Sequence, residues 1–440
     1  MKILIISRTP WNIDNSFGNT FSNMFTGLKK IEIYHICCQE GITKGSLAKK
    51  TFQMSEKQIL KNRKNFGKIV ENKIEINVDK TLNINNKLRQ LKTLKIVHIC
   101  RDLIWKIGKV EESKQLLNFI NENNPDIIYL PLYNSWYMCD IQQYICNICK
   151  VPVIGHISDD IYSYSKGYFI SPIEIFYKFI LRNKLRKLIK RCNYLEVFAN
   201  NMKDEYSKIF KKECFLIGKG IDTNTLKLNN SWKEKYLDPV EFIYTGNLGN
   251  ERWKVLYELG MSLDRLSFYK KSILKIYSGT IISSNIKKKF DKCRSIKFMG
   301  SISSEEVKKI QQAANILVHV ESFSNRAINE TRMSFSTKII DYLCTGKLIL
   351  AIGPQEVNSI QVLEKNNLGL IVNRIENLDK EISKIILNKL DKESIINNVQ
   401  KYLMLERDIK KIQKKIYKRM LNLNKNFGDN SENSNNKCGI

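Results

Sequence analysis

The sequence predicts an α/β protein of two similar domains, each built on a mostly parallel sheet with helices on both faces. Three observations lead there. Short β-branched runs alternate with longer stretches of helical periodicity along most of the chain. The runs are apolar throughout, as strands buried on both faces require. A glycine-containing break, Gly218-Lys219-Gly220-Ile221-Asp222, divides the alternation into two halves of similar pattern.

In the first half the strand candidates are Lys2 to Ile6, Ile31 to Ile36, Ile127 to Leu130, Val151 to Ile157, Tyr194 to Phe198 and Cys214 to Ile217. Between about residues 40 and 110 the pattern gives way to a lysine-rich stretch, expected as a helical insertion with one strand at Ile74 to Val78. The second half predicts strands at Glu241 to Thr245, Leu274 to Ser278, Ile296 to Met299, Ile316 to Val320, Leu348 to Ile352 and Leu370 to Val372. One helix between them is well signed, because Ser303 and Glu306 form a capping box ahead of Val307 and Ile310. The expected organisation is a first domain over 1–222, a second over 223–400, a helix over 401–422 packing back on the first domain, and a disordered Asn- and Ser-rich tail over 423–440.

A chain of 440 residues with 43% hydrophobic content can bury two sizeable cores. Its formal net charge of +29 suits an anionic partner, whether nucleic acid, acidic lipid or a phosphorylated substrate. The plainer reading is a chain rich in Lys, Asn and Ile everywhere, with scattered lysines on a solvated surface. Eleven cysteines without regular spacing argue for free thiols in a reducing compartment, and Cys146 and Cys149 fall on helical apolar spacing that suits packing. The first residues read as a buried strand rather than a leader, and no run approaches the ~18 apolar residues of a spanning helix. The expected location is the cytoplasm, with the inner face of the cell membrane as a candidate station. Residues 173–191 support that station, because Phe176, Tyr177, Ile180, Leu181, Leu185, Leu188 and Ile189 form a stripe ringed by Lys and Arg. An ordinary sheet-covering helix with a basic outer face would read the same way.

Three loops carry chemistry. After the first strand of the second half comes Gly246-Asn247-Leu248-Gly249-Asn250-Glu251-Arg252, in which Gly246 and Gly249 would let backbone N–H groups approach an anion and Arg252 could fork onto a phosphate. Further on, the hydroxyl-rich turn Ser334-Phe335-Ser336-Thr337 precedes a helix with Lys338 and Asp341 on one face, and Gly346 ends it. Such a turn can bind a diphosphate, with Lys338 supplying charge and Asp341 accepting from ribose hydroxyls; the plainer reading is a cap and a surface ion pair. In the first half, His156 and Asp160 follow a buried strand and are placed to orient an acceptor hydroxyl or take its proton, unless the one is a core histidine and the other a cap. His35, His98 and His319 lie in apolar runs, and no two histidines have metal-ligand spacing on one element.

From Tyr244 to Val372 the sequence resembles the retaining glycosyltransferases of the GT-B fold, the large family-4-like group, also called group 1, whose two Rossmann-like domains face each other across a cleft. In many members a glutamate, a Gly-Phe-Gly-like turn and a second acid after seven intervening positions mark the donor site. Aligning Asp341 with that second acid places Ser334-Phe335-Ser336 on the turn and Met333 on the glutamate. This departure is closer to the polysaccharide-assembly branch, in which a Ser-Lys-x-x-Glu/Asp-Tyr helix followed by Gly-Lys replaces the acidic pair. The resemblance leaves Glu321 and Glu330 as candidates for the acid facing the sugar. It implies a hexosyl transfer from a nucleotide-diphosphate sugar to a glycan or lipid-linked acceptor in surface polysaccharide or capsule assembly. It further implies that the donor is a substrate and that no other cofactor and no metal take part.

Two other classes compete. A sugar-nucleotide epimerase would keep the fold and change the reaction. A basic binding protein for nucleic acid or membrane would explain the charge, but the basic residues lack interleaved stacking aromatics and no helix-turn-helix or zinc module is visible, so nucleic acid is not expected as a partner.

Overall fold

The computed structural model describes residues 1–62, 66–71, 95–163, 171–226, 228 and 238–435. Two sheets organise them. The first has eight strands: β1 (Lys2–Ser7), β2 (Glu32–Cys37), β3 (Ala48–Gln53), β4 (Lys68–Glu71), β5 (Ile127–Pro131), β6 (Val153–Ile157), β7 (Tyr194–Val197) and β8 (Cys214–Leu216). Their order is β4-β3-β2-β1-β5-β6-β7-β8, and every neighbouring pair is parallel except β3 and β4. The second sheet has six: β9 (Val240–Thr245), β10 (Ser272–Tyr277), β11 (Ile296–Gly300), β12 (Ile316–Val320), β13 (Leu348–Ile352) and β14 (Leu370–Val372). It is parallel throughout, in the order β11-β10-β9-β12-β13-β14.

Side-chain alternation divides the first domain's core in two. Leu4 and Ile6 of β1 join one cluster with Trp105, Tyr137 and Tyr177, while Ile3 and Ile5 join another with Trp11, Phe21 and Tyr129 on the opposite face. The second domain has one continuous cluster that includes Phe242, Ile276, Ile316, Ile340 and Leu350. Apolar runs in the sequence therefore became strands because both of their faces are covered.

The chain crosses between the sheets twice, and the crossings bond to each other. Ile221 N donates to the Arg407 carbonyl at 2.7 Å, and Ile409 N donates to the Ile221 carbonyl at 2.8 Å. A Cβ at Gly220 would lie 2.8 Å from Ile409 Cα, so the two backbones can approach this closely only with glycine there. The Asn23 side chain brackets the same residue, accepting from Gly220 N at 2.8 Å and donating to its carbonyl at 2.9 Å. Beyond the second crossing the helix Ile409–Asn435 lies on the first domain, where Ile416 and Met420 are fully buried and Arg419 pairs with the buried Glu196 at 2.6 Å.

Two expectations are corrected here, and a third lies outside the described residues. The stretch over 40–110 is not simply helical: β3 and β4 extend the sheet, because Thr51, Phe52 and Gln53 turn inward while the exposed Lys49 disguises the strand. The strand expected at Ile74 to Val78 lies outside the described residues. The tail expected to be disordered from 423 continues the last helix through Asn435, with Leu423 still packed against the first domain. On the helix Pro172–Arg191, Tyr177, Leu181, Leu185, Leu188 and Ile189 cover the sheet, whereas Phe176 faces outward. Cys146 is fully buried and Cys149 half-buried, with burial pushing the Cys149 thiol up to about 11.

Because Ile416 sits fully buried among the first domain's aromatic residues, Ile416→Ala should lower stability by about 2–5 kcal/mol, read as a lower urea midpoint with unchanged slope.

Candidate functional site

A cleft of about 2170 Å³ runs between the two sheets. In doubly wound sheets the crevice outside the carboxyl ends of the strands is where ligands bind. Here the far wall is formed by the ends of β9 and β10, at Thr245 to Asn247 and Tyr277 to Ile281, and by Thr337, Lys338 and Asp341. The near wall is the turn after β1 and the helix Ser16–Phe25, which present Ser16, Asn19 and Thr20. Lys219 and Gly220 of the first crossing form the floor with Ile409 and Gln413.

Thr245, the last residue of β9, fixes the far wall. Its hydroxyl accepts from Gln311 Nε2 at 2.8 Å and lies 3.0 Å from the Tyr342 hydroxyl, while its carbonyl accepts from Lys338 Nζ at 3.2 Å. The helix Lys338–Cys344 is thereby tied to the strand end by two residues on one face. Burial, with Arg252 nearby, lowers the Lys338 pKa, and Asp341 acts in the opposite direction. Lys338 and Asp341 share that face as expected but do not pair with each other. Asp341 instead forms an ion pair with Lys219 across the floor.

Arg252 forks, but onto a protein carboxylate. Its Nε and Nη2 donate to Glu321 Oε2 at 3.1 and 2.9 Å, in a site where Glu321 is 3% exposed. Burial raises the Glu321 pKa and Arg252 opposes it. His319 lies 3.5 Å from the same carboxylate, and burial plus the charges of Arg252 and Lys338 hold its pKa down at about 3. Neither Gly249 nor Arg252 lines the cleft, which reaches Gly246 and Asn247 and stops. Positive φ in this turn falls on Asn250 and Glu251 (52° and 59°) rather than on the glycines, and Glu251 is tied to Lys254 at 3.1 Å.

Met333 marks the departure from the acidic motif, and the structure gives its side chain another place. It is fully buried in the first domain's core cluster, across the domain boundary. Its neighbours hold it there: Arg332 pairs with Glu205 at 2.6 and 2.9 Å, Asn201 Nδ2 donates to the Arg332 carbonyl at 3.1 Å, and Ser334 Oγ donates to Asp159 at 3.0 Å. Phe335 is buried under the Arg407 guanidinium, and Ser336 N donates to Ser359 Oγ at 2.9 Å. Of the hydroxyl-rich turn only Thr337 reaches the cleft.

The three residues expected to act on the acceptor or sugar do not meet in the cleft. His156 is 2% exposed, packed edge-on against Phe21 and Phe198, with its ring nitrogens at 3.2 Å from the Tyr129 hydroxyl and 3.0 Å from the Ser158 hydroxyl. Burial holds its pKa down at about 3, so the ring is neutral. Asp160 caps its own loop, accepting from Tyr206 Oη at 2.6 Å and from the amides of Tyr162 and Ser163. Glu330 is on the outside of the helix Asn325–Thr331, paired with Arg326 at 3.2 Å. Sequence reasoning missed Lys219, Gln311 and the near wall. The run Asn12-Ile13-Asp14-Asn15-Ser16, leading from the turn after β1 into the next helix, was the available signal, since Asn15 caps that helix through Gly18 N at 2.7 Å.

Among the described residues no group of three His, Cys, Asp or Glu is placed to hold a metal, and no helix is long and apolar enough to cross a membrane. No protein-family profile matches the chain, and no curated protein matches it in sequence. Solved structures do match. HepE of Anabaena, solved with UDP, is 12% identical with a TM-score of 0.62, over 96% of this chain and 100% of that one. The sucrose-phosphate synthase of Thermosynechococcus elongatus is 10% identical with a TM-score of 0.63, over 96% and 99%. WaaG, a glycosyltransferase of lipopolysaccharide biosynthesis, is 11% identical with a TM-score of 0.54, over 94% and 98%. The fold is therefore GT-B, shared over nearly the whole length.

His35, His156 and His319 all have pKa values held near 3 by burial, against an ordinary 6.5. The unfolded chain binds more protons between those values, so their contribution to stability is complete above pH 6.5 and is lost as pH falls toward about 3. Thermal unfolding followed across that window should show a falling Tm, with a shallower fall in His156→Gln.

Proposed function

We propose that the protein is a retaining glycosyltransferase that takes a nucleotide-diphosphate sugar on the second domain's wall of the cleft. The sugar passes to a glycan or lipid-linked acceptor held against the first domain, in surface polysaccharide assembly. The observation that carries the reading is Lys338: its side chain reaches into the cleft, its ammonium donates to the Thr245 carbonyl at the end of β9, and desolvation there together with Arg252 lowers its pKa. Its hydrogen-bond partner is a carbonyl rather than a carboxylate, so its positive charge stays available to an arriving anion. HepE, of the same fold, has been solved with UDP and with UDP-glucose, which supports a nucleotide sugar as the donor.

The chemistry follows from where charge develops. As the bond between the sugar and the diphosphate breaks, negative charge builds on the leaving diphosphate, and a fixed cation in a partly dry site stabilises it there. Lys338 is that cation, and Thr245 holds it through a carbonyl that a diphosphate does not need. Asp341 and Lys219 stand beside it for the ribose and the far phosphate. Arg252 acts at one remove: its charge is matched by Glu321 and it stands behind the wall, so it tunes Lys338 rather than gripping the donor. Ser16, Asn19 and Thr20 offer uncharged hydroxyl and amide groups, which suit the hydroxyls of a sugar acceptor. Retention, independence of a divalent cation and the polysaccharide role rest on the resemblance of residues 333–350 to the polysaccharide-assembly branch.

Lys338→Ala should lower turnover about 10²- to 10³-fold while leaving the melting temperature of the free protein close to wild type; unchanged turnover would refute the assignment. Donor affinity should also fall as pH rises through the lowered pKa of Lys338, below the ordinary lysine range, and titration calorimetry should find that slope absent in Lys338→Arg, whose guanidinium keeps its proton. A thermal shift from nucleic acid and none from any nucleotide sugar would favour the basic binding protein instead.

A further inference from the structure

Outside the cleft, the second domain has a smaller pocket of about 570 Å³, whose lining includes Trp253, Asn285, Lys288, Lys289 and Lys292. Two helices build it. Trp253 stands in the first turn of the helix Arg252–Arg265, half-buried against the domain core, so part of its ring is left to solvent. Opposite lies the helix Ser284–Lys292, on which Lys288, Lys289 and Lys292 follow Asn285 by three, four and seven residues and so share one face with it. The pocket meets the rim of the cleft, because Ile281 lines the cleft and Ser283, two residues on, lines the pocket.

No acid lines this pocket. The helix Ser284–Lys292 carries four lysines against one aspartate, and among the described residues Lys288, Lys289 and Lys292 have no ion pair. Lys289 Nζ lies 5.3 Å from the Trp253 ring centre and 5.9 Å from that of Tyr257, a spacing at which a ring face attracts a cation. Like charges gathered on one helix face repel one another, and a ligand anion placed among them removes that cost. Trp253 adds what a bare basic patch lacks, a broad apolar face edged by the hydrogen-bonding groups of Asn285 and Ser283. An acidic sugar matches both halves. The C–H face of its ring packs on the indole, its hydroxyls meet Asn285 and Ser283, and its carboxylate meets the lysines. A nucleic-acid strand fits less well, since it stacks successive bases on successive aromatic rings and only Trp253 lines this pocket.

We propose that the pocket is a second carbohydrate site, which holds an acidic oligosaccharide through the Trp253 ring and the lysine face of the helix Ser284–Lys292. A sugar chain held there lies at the rim of the cleft without occupying it. The proposal stands apart from the donor assignment, since neither Trp253 nor any of the three lysines lines the cleft.

The test is titration calorimetry of the full chain with tri-galacturonate, neutral maltotriose, inorganic phosphate and an oligothymidylate, joined to amide hydrogen exchange with tri-galacturonate. Tri-galacturonate should bind, more weakly as salt rises, and slow exchange at 283–292. Maltotriose and phosphate each offer half of the match and should bind about tenfold more weakly or less. Lys288→Ser/Lys292→Ser, at two exposed positions, should weaken tri-galacturonate binding by about tenfold or more, with the melting temperature and any nucleotide-sugar thermal shift retained. Lys187→Ser/Lys190→Ser, which removes two exposed lysines from the first domain, should leave it unchanged. No binding of tri-galacturonate, slowed exchange at the cleft with none at 283–292, or equal loss from the two lysine pairs would each overturn the proposal. So would phosphate binding as tightly as tri-galacturonate, or tighter binding of the oligothymidylate that Lys288→Ser/Lys292→Ser abolishes.

Discussion

The cleft exists because two backbone crossings are hydrogen-bonded to one another. The chain leaves the first domain at Gly218–Asp222 and re-enters it at Arg407–Ile409, and Ile221 bonds to both Arg407 and Ile409. One crossing would act as a loose tether; two, paired like strands, restrict how the sheets can turn relative to each other. Each crossing also delivers residues to the floor, Lys219 from one and Ile409 from the other. Glycine at 220 is required by the backbone approach, and Asn23 locks that residue to the helix that forms the near wall. The hinge and the ligand site are thus one piece of structure.

Charge lining the cleft nearly balances before any ligand arrives, with Lys44, Lys219, Lys308, Lys338 and Lys410 against Asp14, Asp222, Glu305 and Asp341, and the charges behind its wall are paired. Arg252 is matched by buried Glu321, and Asp341 by Lys219, while Lys338 has a carbonyl rather than a carboxylate as its partner. A buried ion pair contributes little net stability and is costly to break from one side, so the Arg252–Glu321 pair is better understood as a fixed support. It sets the electrostatic surroundings of Lys338 and His319 without exposing a second cation. The large positive charge of the chain therefore says little about the site itself. Much of it lies elsewhere, including on the helix Pro172–Arg191.

The central sheets were legible because parallel strands buried on both faces leave continuous apolar runs, and β9, β12, β13 and β14 fall within a residue or so of where those runs lie. β3 was not legible. It sits next to the sheet edge with Lys49 and Lys50 on it, and its partner β4 is exposed enough to carry lysine as well. At the site, Lys338, Asp341, Gly246 and Asn247 could be found from local spacing, because a strand end and the helix after it bring their own residues to the crevice. Partners distant in sequence could not. Nothing local connects Lys219 to Asp341 or Met333 to the core of the other domain, and His156 and Asp160 share the right strand end while pointing into packing and capping. Met333 shows how a missing acid can have a structural reason: its position now pins the two domains together through Arg332 and Ser334 on either side.

The proposed donor lies against the end of β9 and the start of the helix Lys338–Cys344. Amide hydrogen exchange, measured with and without saturating UDP-, GDP- and ADP-sugars, addresses that placement without relying on turnover. It predicts slowed exchange at 245–247 and 337–341 with at least one donor and little change around Lys289 on the outside of the second domain. Slowing around Lys289 with none at the cleft, or no slowing with any donor, would contradict it.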